Sequence, residues 1–461
     1  MIRSSETRNK YAFGLGTVGR DMLYALVNTY LSFYLTDVLR LPNDTLWGTT
    51  VIMLAFRIFD AVNDPLMGFL VDNTVSRYGK FKPWIAVGAV ISGVAAVLLF
   101  TDFGLRGAGF LFLFAAVHLL WDIGFTANDI AYWSMMPSLS LDQRRREEIG
   151  AFTRVCANIG AGIVIVGFVP ASSMLAKSMG GNMTAAYGAI AVIIAIVMCA
   201  GQCITLFGVK EQPFQFRKQE ATTVRQMFAA IFKNDQLLYT VISQALFSIG
   251  YSTTAGFGLY FFKYAYGNEN MYSVFTLICG GAQMATLAYF PLLSKRFSRK
   301  TLYSAATVLV MIGYATIFFA PMHMAYIVAG GLVTFIGYGI IQLLMLMFLA
   351  DTIEYGQWKL GKRNESITFA MMPFINKIGP AIASGIVGIT VIASGISTAQ
   401  SASDVTSEGL LLMKTAMMIF PLICIAAGYI LYRHKYKIDA RLYSRIIEEL
   451  QDRGDIRIDR Q

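Results

Sequence analysis

TAAYGAIAVIIAIVMCAGQCITLFG (184–208) runs directly into VKEQPFQFRKQEATTVRQMFAAIFKNDQL (209–237). The first stretch holds 25 residues without a charge, and about 20 mostly apolar residues suffice for a helix to cross a bilayer. The second carries five basic and three acidic residues and cannot follow it into lipid. Together they read as a spanning helix that closes one group of spans and a polar linker that leads to the next. Working outward, comparable apolar runs precede the first stretch at about 12–37, 46–71, 84–101, 108–136 and 150–175. After the linker they recur at about 238–263, 271–293, 301–320, 324–350, 367–396 and 409–432. The chain therefore reads as an all-α polytopic membrane protein with twelve transmembrane helices. A bundle over 1–208 precedes the linker, a second over 238–433 follows it, and 434–461 form a tail.

Composition excludes the competing classes. Of 461 residues 56% are hydrophobic and 14% charged, with a mean hydropathy of +0.55. Soluble chains carry about 25% charged residues, so soluble-enzyme and disordered readings fall together. The net charge of +10 does not mark a nucleic-acid partner, because the basic residues lie in short clusters between apolar runs. With both termini on the cytoplasmic side, 29 of the 38 Lys and Arg fall in inner segments, five at the outer side and four within helices. That asymmetry follows the positive-inside rule and orients a multi-pass protein of the cell membrane. The polar opening MIRSSETRNK leads straight into the first span, which does not read as a cleavable leader. Five cysteines, all in apolar stretches, and three dispersed histidines offer no disulfide framework or His/Cys metal site. No nucleophile–base pair suggests an enzyme.

Two groups of six spans match the major facilitator plan. RYGKFKPW (77–84) after the second span and KRFSRK (295–300) after the eighth stand at equivalent places in the two halves. In the tail, Ile438, Leu442, Ile446 and Leu450 recur every four residues among Arg and Glu. That spacing predicts an amphipathic helix on the inner face, a candidate docking point for a cytoplasmic regulatory protein.

The informative residues are charges placed where lipid should be. Arg20 and Asp21, Arg57, Asp60 and Asp64, Asp122 and Asp129, Arg154, and Lys377 all fall within spans. Each costs roughly 2.5–3.5 kcal/mol at mid-membrane unless it faces a cavity or a partner, so the nine must share a polar interior. In RIFDAVNDPLMG (57–68), Asp60, Asn63 and Asp64 have i, i+3, i+4 spacing, which sets three oxygen-bearing side chains on one helix face. A hard monovalent cation wants several such oxygens. A structural Arg57–Asp60 ion pair is the competing reading, but one arginine cannot neutralise both carboxylates. In FTANDIAYWSMMP (125–137), Thr126, Asp129 and Trp133 share a face. An acid one turn from an indole suits a sugar, whose hydroxyls bond the carboxylate and whose C–H face stacks on the ring. Packing is the ordinary use of such a Trp, yet Arg154 and the Arg20–Asp21 pair converge with it on a binding site.

These segments resemble one family, the glycoside–pentoside–hexuronide:cation symporters of the major facilitator superfamily. YAFGLGTVGRD (11–21), RIFDAVNDPLMG, RYGKFKPW, NDIAYWSMMPSLSLDQRRREE (128–148) and ADTIEYGQWKLGKRNES (350–366) are similar to family segments in family order. The melibiose and lactose/raffinose branches are nearest. The resemblance implies that Asp21, Asp129, Trp133 and Arg154 contact a galactosyl unit, with Arg20 nearby. It also implies that Asp60, Asn63, Asp64 and Thr126 hold the coupling cation. Lys377 would link the second half to the first-half carboxylates, and Gln342 falls where a family aromatic can line the sugar cavity. Lys362 stands where lactose-type members often show His, which speaks against proton coupling there.

The expected function is secondary active symport of a galactoside (melibiose, lactose or raffinose type) into the cell by alternating access. No cofactor is expected; the coupling cation is Na⁺, with H⁺ and Li⁺ as alternatives. A lipid or organic-anion carrier on the same fold is one rival. A membrane receptor that carries no flux is the other.

Overall fold

The computed structural model describes residues 2–210, 214–216, 232–268, 271–319, 321–396, 399 and 402–458. For residues 2–6, 37, 57–58, 60–62, 214–216 and 457–458 only the backbone is described. Twelve long helical segments occupy the twelve predicted spans. They are α1 Ile2–Phe33 with a π-helical extension Tyr34–Val38, α2 Asn43–Asp72, α3 Lys82–Leu99, α4 Gly107–Met135, α5 Gln143–Ser178 and α6 Met183–Gly208. Then come α7 Asp235–Tyr260 with a π extension Phe261–Tyr266, α8 Met271–Arg296, α9 Arg299–Phe319, α10 Met324–Leu360 and α11 Glu365–Ala393. The twelfth span is α12 Ser407–Lys414 and α13 Phe420–Lys435, joined through a π segment Thr415–Ile419. Nine of these helical segments are, by length and hydropathy alone, apolar enough to cross a membrane; α1, α2 and α7 are not among them. The first two are the helices that carry Arg20, Asp21, Asp60 and Asp64, so the residues that point to function also weaken the hydropathy signal.

The helices run past the apolar stretches that predicted them. The 351–366 segment reads as a loop in sequence, yet α10 continues through it to Leu360 and ends at Gly361, whose φ is +72°. Residues 343–357 of α10 are buried without interruption. Its acids tolerate this because Asp351 pairs with Arg299 at 2.5 Å and Glu354 with Arg363 at 3.1 Å.

The chain divides into two compact units. One comprises Met1–Met227 with Asn364–Ala370 and Gln451–Gln461, the other Phe228–Arg363 with Met371–Leu450. In the first, α1 packs against α5 and α6, α3 against α4 and α6, and α2 against α4. Glycine permits the closest approaches. A Cβ at Gly160 of α5 would stand 2.3 Å from the Val18 carbonyl oxygen of α1, and one at Gly19 2.5 Å from that of Val197 in α6. Small residues are how membrane helices gain packing area without a hydrophobic drive between them.

At the end of α2, Asp72 accepts the backbone N–H groups of Ser366 (3.1 Å) and Ile367 (2.9 Å), which caps the start of α11. Lys80 of the RYGKFKPW segment joins that cap, 2.5 Å from Asp72 and 3.5 Å from Glu365. A short antiparallel pair, β1 Phe214–Phe216 with β2 Ile456–Ile458, also belongs to this unit. In the second unit α9 and α8 pack on α10, and α7 on α13. The tail forms the expected amphipathic helix, α14 Ala440–Asp452, but Tyr443, Ile446 and Leu450 make its buried stripe, with Leu442 only half-buried. Trp358 Nε1 donates to Glu449 Oε2 at 2.6 Å and ties α14 to the end of α10.

Candidate binding site

The first unit brings five of the predicted sugar-site residues together: Arg20, Asp21, Asp129, Trp133 and Arg154. Arg20 on α1 is only 2% exposed, and its guanidinium reaches Asp21 Oδ2 at 3.0 Å and Asp129 Oδ1 on α4 at 2.8 Å. Thr17, one turn earlier on α1, donates to Asp21 Oδ2 at 2.6 Å. One arginine therefore bridges two carboxylates, that of its chain neighbour and that of Asp129, 109 residues away in sequence. The carboxylates keep 22% and 19% of their side-chain surface exposed, so oxygen remains accessible to a ligand while the cation between them does not. Arg thus offsets one of the two negative charges and sets the spacing of two acceptors, as a rigid planar fork can and an ammonium cannot.

An aromatic floor supports this clamp. The Arg20 guanidinium lies 4.6 Å from the Tyr132 ring centroid and 5.2 Å from that of Trp133. Phe13 stacks on Tyr132 at 4.2 Å, and the Tyr132 hydroxyl donates to the Phe13 carbonyl oxygen. Arg154 on α5 sits 4.5 Å above the Trp133 ring, and its Nε has no hydrogen-bond partner among the described residues. This corrects one expectation. Trp133 is 4% exposed and its face carries a guanidinium, so the ring does not stand open for a sugar to stack on. Cation–π attraction holds Arg154 in place instead.

The residues expected to hold the cation lie on α2 and α4. Asp64 is fully buried, Asn63 and Thr126 nearly so. The Thr126 hydroxyl donates to Asp64 Oδ1 at 3.3 Å, and Asn63 Nδ2 has no partner among the described residues. The side chains of Asp60 and Arg57 lie outside the described residues, so the Arg57–Asp60 pairing does too. Gln342 and Lys377 belong to the second unit, both half-buried. Gln283 Nε2 donates to Gln342 Oε1 at 3.4 Å.

Sequence reasoning missed the supporting polar groups. Asn128 Nδ2 donates to the Ile85 carbonyl (2.8 Å) and to Gln202 Oε1 (3.3 Å), and Gln202 Nε2 donates to the Gly16 carbonyl at 2.8 Å. That chain ties α3, α4, α6 and α1 together behind the clamp. His118 Nδ1 lies 3.0 Å from Asp122 Oδ2, which accounts for the buried acid on α4. The available signals were the amide next to Asp129 in NDIAYW and the i, i+4 spacing of His118 and Asp122.

A helical membrane protein with a buried, charge-balanced polar interior rimmed by accessible acceptors has the architecture of a secondary transporter. Comparison with known proteins makes the class specific. Residues 12–440 match the MFS/sugar transport protein family, and the chain belongs to it. It is 31% identical over 452 residues to a lactose permease of Lactobacillus delbrueckii subsp. bulgaricus, covering 96% of this chain and 72% of the relative. It is also 31% identical over 458 residues to the raffinose carrier protein of Pediococcus pentosaceus, covering 95% and 70%. Among solved structures, the Escherichia coli fucose:proton symporter superposes with a TM-score of 0.68 at 14% identity, over 94% of this chain and 98% of that one. The fold is therefore that of the major facilitator superfamily, and the chain is a transporter of sugars, not an enzyme.

Proposed function

We propose that the chain couples entry of a galactoside to the inward movement of Na⁺ across the plasma membrane, with both termini cytoplasmic. The observation that carries this reading is the Arg20 bridge: two partly exposed carboxylates are held at fixed spacing, and the half-buried Arg154 lies over the adjoining Trp133 ring. Such a set bonds vicinal hydroxyls by accepting at Asp21 and Asp129 and donating from Arg154. The lactose and raffinose specificities of the two relatives support a galactoside.

In this mechanism Asp60, Asn63, Asp64 and Thr126 bind the cation first. Thr126 and Asp129 stand three residues apart on α4, so a ligand that pulls Thr126 toward Asp64 also sets the acceptor used by the sugar. Only the empty or doubly occupied protein then alternates between outward and inward access. The test is a panel of labelled galactosides in right-side-out vesicles, with imposed Na⁺, Li⁺ or H⁺ gradients at two pH values. Accumulation above equilibrium driven by Na⁺ is the expected result. Accumulation that follows only the pH gradient would replace the cation, and equilibration without accumulation would remove the coupling.

A further inference from the structure

We propose that the second unit holds a binding site for a small monocyclic aromatic alcohol of the phenol class, lined by none of the residues assigned to the sugar site. A cavity of about 130 Å³ lies among α7, α8, α9, α10 and the π segment before α13. Its size is close to that of the engineered apolar cavity of about 150 Å³ that accepts benzene. Phe262, Tyr272, Phe275 and Phe335 contribute ring surface to its wall, and ring edges and faces are the surfaces that recognise another ring.

A chain of three hydroxyls interrupts that wall, beside those of Tyr251, Tyr272, Thr276 and Thr334, and its protons are accounted for. The Thr254 hydroxyl donates to the Met417 carbonyl oxygen at 3.0 Å. Thr254 Oγ1 then accepts from the Tyr314 hydroxyl, which in turn accepts from Tyr338. A hydroxyl has one proton and two lone pairs, so the chain uses every proton and ends in acceptor capacity at the Tyr338 oxygen. Tyr338, Tyr314 and Thr254 all line the cavity. An occupant that brings one O–H and an aromatic ring completes the chain.

The backbone around the cavity is also unusual. Two π-helical segments, Phe261–Tyr266 and Thr415–Ile419, supply Phe261, Phe262, Met417 and Met418 to the wall, and the second supplies the carbonyl that ends the hydroxyl chain. Single π turns inside α-helices occur frequently at functional sites, and methionine adapts its shape to an occupant.

The test titrates 4-fluorophenol and fluorobenzene into the purified full-length protein in lipid nanodiscs, followed by fluorine NMR. Wild-type protein should bind one fluorophenol per chain saturably, about tenfold tighter than fluorobenzene, the equivalent of one net hydrogen bond. Tyr338→Phe should abolish that preference and leave fluorobenzene binding in place. Ala255→Leu, which adds bulk at a wall position, should weaken both ligands at least tenfold while galactoside binding persists. Wild-type binding that does not saturate overturns the proposal. So does saturable binding that neither substitution alters, because bilayer or nonspecific sites would then hold the probe.

Discussion

Arg20 shows what a single residue contributes to the candidate site. It is almost fully buried between Asp21 and Asp129, and removing one partner of a buried ion pair costs about 3–5 kcal/mol. Arg20→Gln should therefore lower both thermal stability and galactoside affinity. Arg20→Lys should keep the fold but lose at least tenfold in affinity, because one ammonium cannot span both carboxylates; equal affinities for wild type and Arg20→Lys would remove the bridging role. Asp64→Cys separates the two ligands: Na⁺-stimulated uptake should disappear while some sugar binding remains. Full sodium dependence in that variant would overturn the cation assignment. The sequence disclosed which charges fall within spans, since Arg20, Asp21 and Asp129 stand out against apolar surroundings. It could not disclose that one charge joins the other two. Neighbours in a helix do not face one another, and Asp129 reaches Arg20 only through the packing of α1 against the rest of its unit. Trp133 illustrates the opposite limit. Its spacing from Asp129 was legible, but the guanidinium covering its ring came from α5, and no local pattern announces that.

At the scale of elements, helix lengths were underestimated for an electrostatic reason. An apolar window ends at the first acids, whereas α10 passes Asp351 and Glu354 because arginines neutralise both. Close approaches were equally invisible, since a glycine in a membrane helix looks alike whether it faces lipid or another backbone. Gly160 and Gly162 are two residues apart, yet a Cβ at Gly162 meets nothing within 4 Å and one at Gly160 meets the Val18 carbonyl. Gly162→Val should consequently be tolerated, whereas Gly160→Val should cost 3 kcal/mol or more, about the upper end for overpacking. The yield of folded protein and its midpoint in a thermal scan distinguish the two. The start of α7 adds a pH signature outside the predicted span. Burial pushes the Asp235 carboxyl up, but hydrogen bonds from Lys359, Gln236 and Tyr355 outweigh it and hold the pKa below the usual 3.8. A depressed carboxylate stabilises the fold above its unfolded pKa, and that contribution fades as pH falls through the folded value. Asp235→Asn should thus melt below wild type at neutral pH, by at most about 1 kcal/mol for so exposed a pair. The two midpoints should converge as pH drops below about 4, and a gap that persists there would assign it to packing instead.

For the whole molecule, twelve helical spans were legible because lipid imposes a single demand on every crossing segment: its backbone must bond itself; most of the expected 209–237 linker lies outside the described residues. The orientation rests on a different and weaker physical bias, the retention of Lys and Arg on the cytoplasmic side. It therefore deserves its own measurement. The loop between α3 and α4 falls outside in the proposed topology, and the turn between α8 and α9 falls inside. Asp102 and Ser298 mark the two. Asp102 sits in the first loop, where Arg106 bonds its carboxylate at 3.0 Å and holds its pKa below the usual range, and Ser298 immediately precedes α9. In a variant whose five native cysteines are replaced, Asp102→Cys should react with a membrane-impermeant maleimide in intact cells. Ser298→Cys should react only after the membrane is permeabilised. The reverse pattern would invert the protein in the membrane, and with it the direction of coupling: the cation gradient that should drive galactoside entry would then drive its exit.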